Sequence, residues 1–333
     1  MIFTNKTHSN NLKKVLGTLL CSTVIAFGGI TSSQAAQLEE IHFLIPGGAG
    51  GGWDGTARGT GEALTKSGLI KSASYQNMSG GGGGKAIAHM IETAKKQSGT
   101  LMVNSTPIVI RSLTKVFPQS FRDLTPIASI IADYGAFVVR KDSSYKDWNQ
   151  VMDMYKKDPK KVKFAGGSAK GSLDHLVPAA AIKNGGGNPK LLRYIPYDAG
   201  GKAMAALLSG EAQFLSTGLG EALELAKAGE IRILAITAAE RVKDAPDVST
   251  LKEMGNDTVF ANWRGFFGAP GLTKEQVKTF NDKLSAMYGT PEWETVRSRN
   301  GWVNLYQADS DFFKFLEKQE EVIGGLMKEL GFM

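Results

Sequence analysis

Residues Ile41 to Gly55 read IHFLIPGGAGGGWDG, and the order of residue types in that stretch decides the fold. Ile41 to Pro46 is a short apolar run of strand length. Glycines follow at 47, 48, 50, 51 and 52, and a helical pattern then runs from about Asp54 to Lys66, closed by Gly68. Outward from there the grammar repeats. Ser72 to Met78 predicts a second strand, Ser79 to Gly84 a second glycine turn, and Ile87, Ile91 and Ala94 one face of a second helix. Leu101 to Val103 predicts a third strand. Strand–helix alternation of this kind implies a parallel sheet covered by helices.

The alternation continues with strands expected at 162–165, 191–195, 212–215 and 231–236, and helices near 147–157, 172–184, 200–209 and 219–228. The last part is helical. Thr273 and Gln276 have capping-box spacing, Pro291 follows Thr290 as a first helical residue, and Ser310 to Leu330 makes the terminal helix. No repeat or low-complexity linker separates tandem domains. Two lobes joined by crossing strands are expected, with crossings near residues 135–140 and 259–267.

The first glycine loop carries the chemistry. A glycine-rich turn between a strand and a helix frees backbone N–H groups to converge on an anion, and the helix N-terminus adds partial positive charge. Asp54 stands where an N-cap would. The plain alternative is a tight turn with a capped helix. Gly50, Gly52 and Gly55 satisfy G-x-G-x-x-G, but Tyr75-Gln76-Asn77 stand where a dinucleotide site needs its acid. Gly80 to Lys85 fails as a phosphate loop, because Ser79 replaces its first glycine and Ala86 its hydroxyl residue.

A second loop, Gly166-Gly167-Ser168-Ala169-Lys170-Gly171-Ser172, again joins a strand to a helix. It offers amides, two hydroxyls and a lysine. Lys170 breaks the nucleophile-elbow pattern at its second glycine. Ser172 is read as an N-cap compatible with a ligand role, and His175 as a packing or hydrogen-bonding histidine as much as a ligand contact. Trp53 is read either as a wall of the cleft or as first-turn packing. Trp263, Phe266 and Phe267 are read as core or hinge packing.

Catalytic signals are thin. His42, His89 and His175 have no metal-ligand spacing, and the S-x-x-K matches at Ser112 and Ser143 lack companion motifs. No nucleophile or base with a positioning partner can be named. The expectation is therefore no catalytic residue, no metal, no cofactor and no enzyme.

Composition agrees with export and small-molecule binding. Lys6, Lys13 and Lys14 precede an apolar run from Val15 to Ile30, and Ser33-Gln34-Ala35 offers a signal-peptidase site. A signal peptide over residues 1–35 is expected, cleaved near Ala35/Ala36; the alternative is a retained anchor helix. Leu20 fits poorly before Cys21, the one cysteine, so no lipid anchor is expected. Losing those residues removes three lysines and no acids, lowering the net charge from +7 to +4. That mild excess has no basic block, so nucleic acid is excluded as a partner. It favours small anions by long-range attraction.

Six segments in order carry a family resemblance: Pro46–Asp54, Ser79–Gly84, Gly166–His175, Tyr194–Gly201 (YIPYDAGG), Ala245–Gly255 (APDVSTLKEMG) and Trp263–Pro270 (WRGFFGAP). The chain resembles the TctC-like (Bug-type) substrate-binding proteins of tripartite tricarboxylate transporters. The resemblance implies an α/β periplasmic-binding-protein fold, type II-like, with two mixed or parallel sheets and the ligand cleft between lobes. Residues 36–137 with 262–333 would form one lobe, and 138–261 the other. It also implies a monomer in the periplasm that closes by hinge bending on a small carboxylate. A membrane permease with a large and a small subunit would then receive the solute.

Carried over residue by residue, Gly48, Gly50, Gly51, Gly52, Trp53 and Asp54 would hold one carboxylate, largely through amides. Gly167, Ser168, Lys170, Ser172 and His175 would face it from the other lobe, with Asn104, Ser105, Tyr197 and Thr217 lining the cleft. The chain departs from the family pattern at Gly-Gly-Gly-Trp-Asp, at Lys170 and at Pro178 inside a helix. The first two suit a more anionic, citrate-like ligand. Two other functions stay open on the residues alone: a carboxylate sensor for a membrane signalling partner, and an exported enzyme on a carboxylated substrate.

Overall fold

In the computed structural model, residues 38–333 are described, and the expected signal peptide lies outside the described residues. Strand β1 (Glu40–Ile45) is buried on both faces from Phe43 onward, as a central parallel strand must be. It pairs in parallel with β2 (Ser72–Asn77) and β3 (Thr100–Ser105). Helix α1 (Gly52–Lys66) and helix α2 (Gly84–Glu92) make the crossovers. On α2 the buried face is Ala86, Ile87 and Met90; Ala94 falls beyond the helix. After β3, α3 (Thr106–Leu113) starts with Pro107 in its first turn, where a missing N–H costs nothing.

The longest strand joins the two halves of the molecule. Strand β4 (Thr125–Arg140) pairs through its first part, antiparallel, with β9 (Ala261–Gly268) and β10 (Val303–Ala308). Its last part, from Gly135, pairs with β7 (Phe214–Gly218) and β8 (Ile231–Ile236). β7 continues in parallel to β5 (Lys163–Gly166), and β5 to β6 (Arg193–Pro196). Strand order is β2-β1-β3-β9-β4-β7-β5-β6. The result is a two-lobed α/β fold with mixed sheets. The antiparallel β9, lying between β3 and β4, is what makes the first half mixed rather than parallel.

The chain crosses forward in β4 near Gly135. It returns at the start of the expected 259–267 segment, where the Phe260 N–H donates to the Thr237 carbonyl. By Ala261 it has re-entered the first half. Helices α4 (Trp148–Lys157), α5 (Leu173–Asn184), α6 (Gly200–Ser209) and α7 (Leu219–Lys227) cover the second half. Helices α8 (Lys274–Met287), α9 (Pro291–Arg299) and α10 (Asp309–Leu330) return to the first. The Thr273–Gln276 capping box and the Thr290 cap before Pro291 form as their spacing requires. Among the described residues no helix is long and apolar enough to cross a membrane.

Three apolar clusters fix this frame. One packs Phe43, Ile45, Ala57 and Leu64 against Phe266, Trp293 and Trp302. Another lies under α6 and α7, with Leu207, Leu215 and Leu223. The third runs through both halves, from Met102 and Ile108 to Phe137, Trp148 and Phe164, with Phe312 and Leu316 of α10. Trp263, Phe266 and Phe267 are buried core residues.

Candidate functional site

The first glycine loop ends one turn earlier than the residue pattern implied. Helix α1 begins at Gly52, its N-cap is Gly51 with no side-chain bond, and Asp54 lies inside the first turn. The Asp54 carboxylate is turned back onto its own loop. Its Oδ2 accepts from the Gly50 N–H at 3.0 Å, and its Oδ1 from Asn77 Nδ2 at 3.0 Å and Arg58 Nε at 2.9 Å. Asp54 therefore shapes the loop and is itself neutralised. Trp53 donates from Nε1 to Ser105 Oγ at 2.8 Å, tying the helix start to the end of β3. Asn104, buried, accepts the Ser105 N–H through Oδ1 at 2.9 Å.

The second loop is held by α5 and β6. Ser168 Oγ accepts from the Asp174 N–H at 3.0 Å, while Tyr194 donates its hydroxyl to the Ser168 carbonyl at 2.6 Å. Ser172 is the α5 N-cap residue without a side-chain cap bond, and its hydroxyl is buried without a partner among the described residues. His175 accepts the Gly171 N–H on Nδ1 at 3.1 Å and stacks on Tyr194 with centroids 4.7 Å apart. Burial, with Lys170 adding to it, pushes the imidazole down to about 4, so the ring is neutral. Tyr197 donates its hydroxyl to Glu211 at 2.8 Å. Lys170 is exposed. Pro178 continues the helix but lacks the N–H that would return to the Asp174 carbonyl.

These loops meet face to face. A methyl added at Gly51 would come within 3.4 Å of the Gly200 nitrogen, and one at Gly48 within 2.9 Å of Ala199 Cβ. One at Gly167 would fall on the Gly200 backbone itself. Between them lies a cavity of about 90 Å3. Its walls include Gly48, Gly51, Gly52, Trp53 and Ser105 from the first half, and Gly167, Ser168, Gly200 and Thr217 from the second.

Six ionisable side chains also line it: Tyr134, the exposed Asp198, which pairs with Lys202, and an inner group of Asp133, Asp174, Glu221 and Arg264. Arg264 on β9 is 4% exposed, with Nη2 at 2.9 Å from Asp133 Oδ2 and 3.9 Å from Glu221 Oε1. Asp133, on β4, accepts the Gly220 N–H at 3.2 Å. Glu221, in the first turn of α7, takes the Thr217 hydroxyl and draws support from the Gly52 N–H at the α1 start. A side chain at Gly52 would collide with the Arg264 guanidinium and Glu221, so glycine is required there. The N-terminal end of α1, expected from the sequence to hold an anion, thus already faces a carboxylate of the protein's own.

Burial dominates the titration of the three inner acids. It pushes Asp133 and Glu221 above the ordinary carboxylate range, against the pull of Arg264. Asp174 is pushed up to about 7, first by burial and then by the Glu221 charge, with Ser168 and Arg264 opposing. At ~4 Å and an effective permittivity of ~20, one ion pair is worth about 4 kcal/mol. Each buried ion costs several kcal/mol to dehydrate. One guanidinium therefore does not offset three carboxylates.

Of the expected residues, Gly48, Gly51, Gly52, Trp53, Ser105, Gly167, Ser168 and Thr217 meet at the cavity. Gly50, Asp54, Asn104, Lys170, Ser172, His175 and Tyr197 do not line it. Gly50, Asp54, Asn104 and His175 serve the loops and strand ends behind it, Ser172 opens α5, Tyr197 is held by Glu211, and Lys170 points to solvent. Asp133, Asp174, Glu221 and Arg264 escaped the residue pattern. The signal for Arg264 was available: an arginine inside the apolar run Trp263 to Phe267 is placed where a charge must find a partner.

Comparison with known proteins adds the family. The model for "Tripartite tricarboxylate transporter family receptor" matches residues 57–332. A UPF0065 protein from the tcbD-tcbE intergenic region of Pseudomonas sp. (strain P51) is 26% identical over 278 residues, covering 80% of this chain and 81% of that protein. Among solved structures, a Rhodopseudomonas palustris protein with adipate superposes with a TM-score of 0.79 at 22% identity, over 88% of this chain and 97% of its own. MatC from the same organism, with bound malate, gives 0.74 at 19% identity, over 86% and 98%.

Proposed function

The chain belongs to the tripartite tricarboxylate transporter receptor family, and from that premise we propose that it is a periplasmic solute-binding protein that captures a small carboxylate. It would deliver that solute to a permease of large and small membrane subunits. The observation that carries the reading is the meeting of two glycine loops and Arg264 around one cavity. Amides and a buried guanidinium are what a carboxylate needs in a dry cleft. Malate and adipate in two proteins of this fold support a carboxylate as the cargo class. Closure would hinge where β4 crosses at Gly135 and the chain returns at Thr237 and Phe260, with residues 36–137 and 262–333 as one lobe and 138–261 as the other.

A citrate-like trianion fares worse than a less charged acid. Lys170, the cation that favoured it, is exposed away from the cavity, and four acids, one of them solvent-exposed, line the walls instead. A thermal-shift screen of the mature protein over mono-, di- and tricarboxylates tests the reading. An acid at about 100 times its dissociation constant adds about 2.7 kcal/mol of stability. If no carboxylate raises the melting temperature at millimolar concentration, carboxylate capture is wrong.

A further inference from the structure

Of the glycine turns read from the sequence, Ser79–Gly84 lines no part of the cavity. Gly80, Gly81, Gly82 and Gly83 all take positive φ, at 139°, 58°, 64° and 103°. The turn closes through the Gly83 N–H on the Gly80 carbonyl at 3.1 Å, and the N–H groups of Gly81 and Gly82 donate to no described residue. Both of those glycines are exposed, and helix α2 starts directly behind them. Free amides beside a helix start suit an anion, but a plain turn would look the same.

Arg111 is the second and independent observation. It comes from α3, and its guanidinium lies against Gly82: a methyl added there would stand 2.7 Å from Nε, 3.1 Å from Cζ and 3.3 Å from Nη2. Arg111 is 5% exposed, yet none of its guanidinium nitrogens bonds a described residue; Nε is sealed, while Nη1 and Nη2 are not. No carboxylate of the described residues supports its charge. Burial pulls the guanidinium below its ordinary value, and only the Tyr194 hydroxyl, from β6 of the second half, opposes. Arg264, by contrast, holds Asp133 at 2.9 Å. Arginine stays protonated in proteins, and a buried charge is ordinarily paired. The charge that would pair Arg111 has to come from outside the chain.

We propose that Arg111 and the Gly80–Gly84 turn form a second anion site, outside the solute cavity, for one small oxyanion of the sulfate, phosphate or carboxylate class. Nη1 and Nη2 form a planar fork that matches two oxygens of such an ion. The Gly81 and Gly82 amides supply further donors. Lys85, exposed with its stem against Gly80, adds attraction from the solvent side. The site does not depend on what the cavity captures.

Isothermal titration of the mature chain with sodium sulfate, inorganic phosphate and sodium acetate, in low-salt Tris buffer, tests it. The expected result is one site per chain for at least one of these ions, weakened about tenfold or more in Arg111→Met. Arg111→Lys should weaken it less, since the charge stays and the fork is lost. Lys85→Ala should weaken it severalfold, by less as ionic strength rises. Without the ion, Arg111→Met should melt at or above the wild-type temperature, because it removes a buried charge that nothing pairs. A variant that fails to fold, or melts well below wild type, would show the arginine to be partnered within the chain and would sink the site. So would a wild type that takes up none of the three ions at millimolar concentration, or ion binding unchanged in Arg111→Met. The best acid of the carboxylate screen should bind Arg111→Met within about twofold of wild type. If that acid is lost together with the ion, Arg111 belongs to the solute cavity, and the separate site falls while carboxylate capture stands. A failed acid screen with the ion result intact would do the reverse.

Discussion

Arg264 carries an electrostatic role out of proportion to one side chain. It lies within 3.9 Å of two carboxylates, Asp133 and Glu221, and both are raised above their ordinary range despite it. Arg264→Met keeps the volume and removes the charge, so it leaves those acids uncompensated. Breaking a buried pair in this way costs about 3–5 kcal/mol, and urea denaturation should show a loss of that order; a loss under 1 kcal/mol would mean that the acids are already protonated when folded. Asp174 sets a pH dependence of definite sign. The folded carboxyl keeps its proton up to about pH 7, whereas the unfolded one releases it near 3.8. Between those values the folded state binds more protons, so stability falls as pH rises across the window and is flat above it. Its share of the decline should amount to a few kcal/mol, since each tenfold change in proton affinity is worth about 1.4 kcal/mol, and Asp174→Asn should make the slope shallower, Asp133 and Glu221 keeping the rest. Glu62, held down from 4.5 to about 2 by Arg299 and Lys66, contributes stability that is lost only as pH falls below about 4.5, outside the range from pH 5 to pH 8. Urea midpoints at pH 5 and pH 8, wild type against Asp174→Asn, decide the point.

Elements were more legible than residues, for a physical reason. Period and punctuation are local, so the strand–glycine–helix units of α1, α6 and α7 and the caps of α8 and α9 could be read from spacing alone. Strand β4 could not. Its 16 residues are apolar on both faces through Ile127–Ala132 and again through Ala136–Val139, because one strand serves two sheets. Strand β10, half-exposed at the edge, shows no alternation to find. The acids of the cleft stayed hidden for a related reason. Asp174 and Glu221 look like ordinary first-turn helix acids, and only tertiary packing brings them to one cavity. The crossing itself hangs on Thr237. Its Oγ1 accepts from the Gly135 N–H at 2.8 Å and donates to the Phe260 carbonyl at 2.6 Å, while its own N–H bonds the Gly135 carbonyl at 2.9 Å. Thr237→Val is nearly isosteric and strands both partners in the interior. A loss of about 1–3 kcal/mol is expected, read as a lowered urea midpoint with an unchanged slope. A neutral result would show that water replaces the hydroxyl.

At the scale of the molecule, the contact between glycine loops would make closure and binding one event under the proposed function. Loop residues 48–51 meet residues 199–201 with only the Ala199 methyl between them, and Gly167 lies under Gly200 closely enough that a Cβ there would strike its nitrogen and α-carbon. Gly48 and Gly51 belong to the first half, while Gly167 and Gly200 belong to the second. A methyl at Gly167 therefore wedges its own half apart, and a methyl at Gly48, 2.9 Å from Ala199 Cβ, presses across the cleft. The two substitutions separate folding from closure. Gly48→Ala is expected to fold with a melting temperature within a few degrees of wild type, since the clusters under each half are untouched. It should nevertheless bind the best ligand of the screen roughly tenfold more weakly, because the loops must shift apart to accommodate the methyl. Gly167→Ala should also lower stability, since its collision is with backbone of its own half and cannot be relieved by opening. Small-angle scattering supplies the global reading: ligand should shrink the wild-type radius of gyration, and shrink that of Gly48→Ala less at equal saturation. An identical profile for both proteins, or wild-type affinity in Gly48→Ala, would mean that solute is held without the loops coming together.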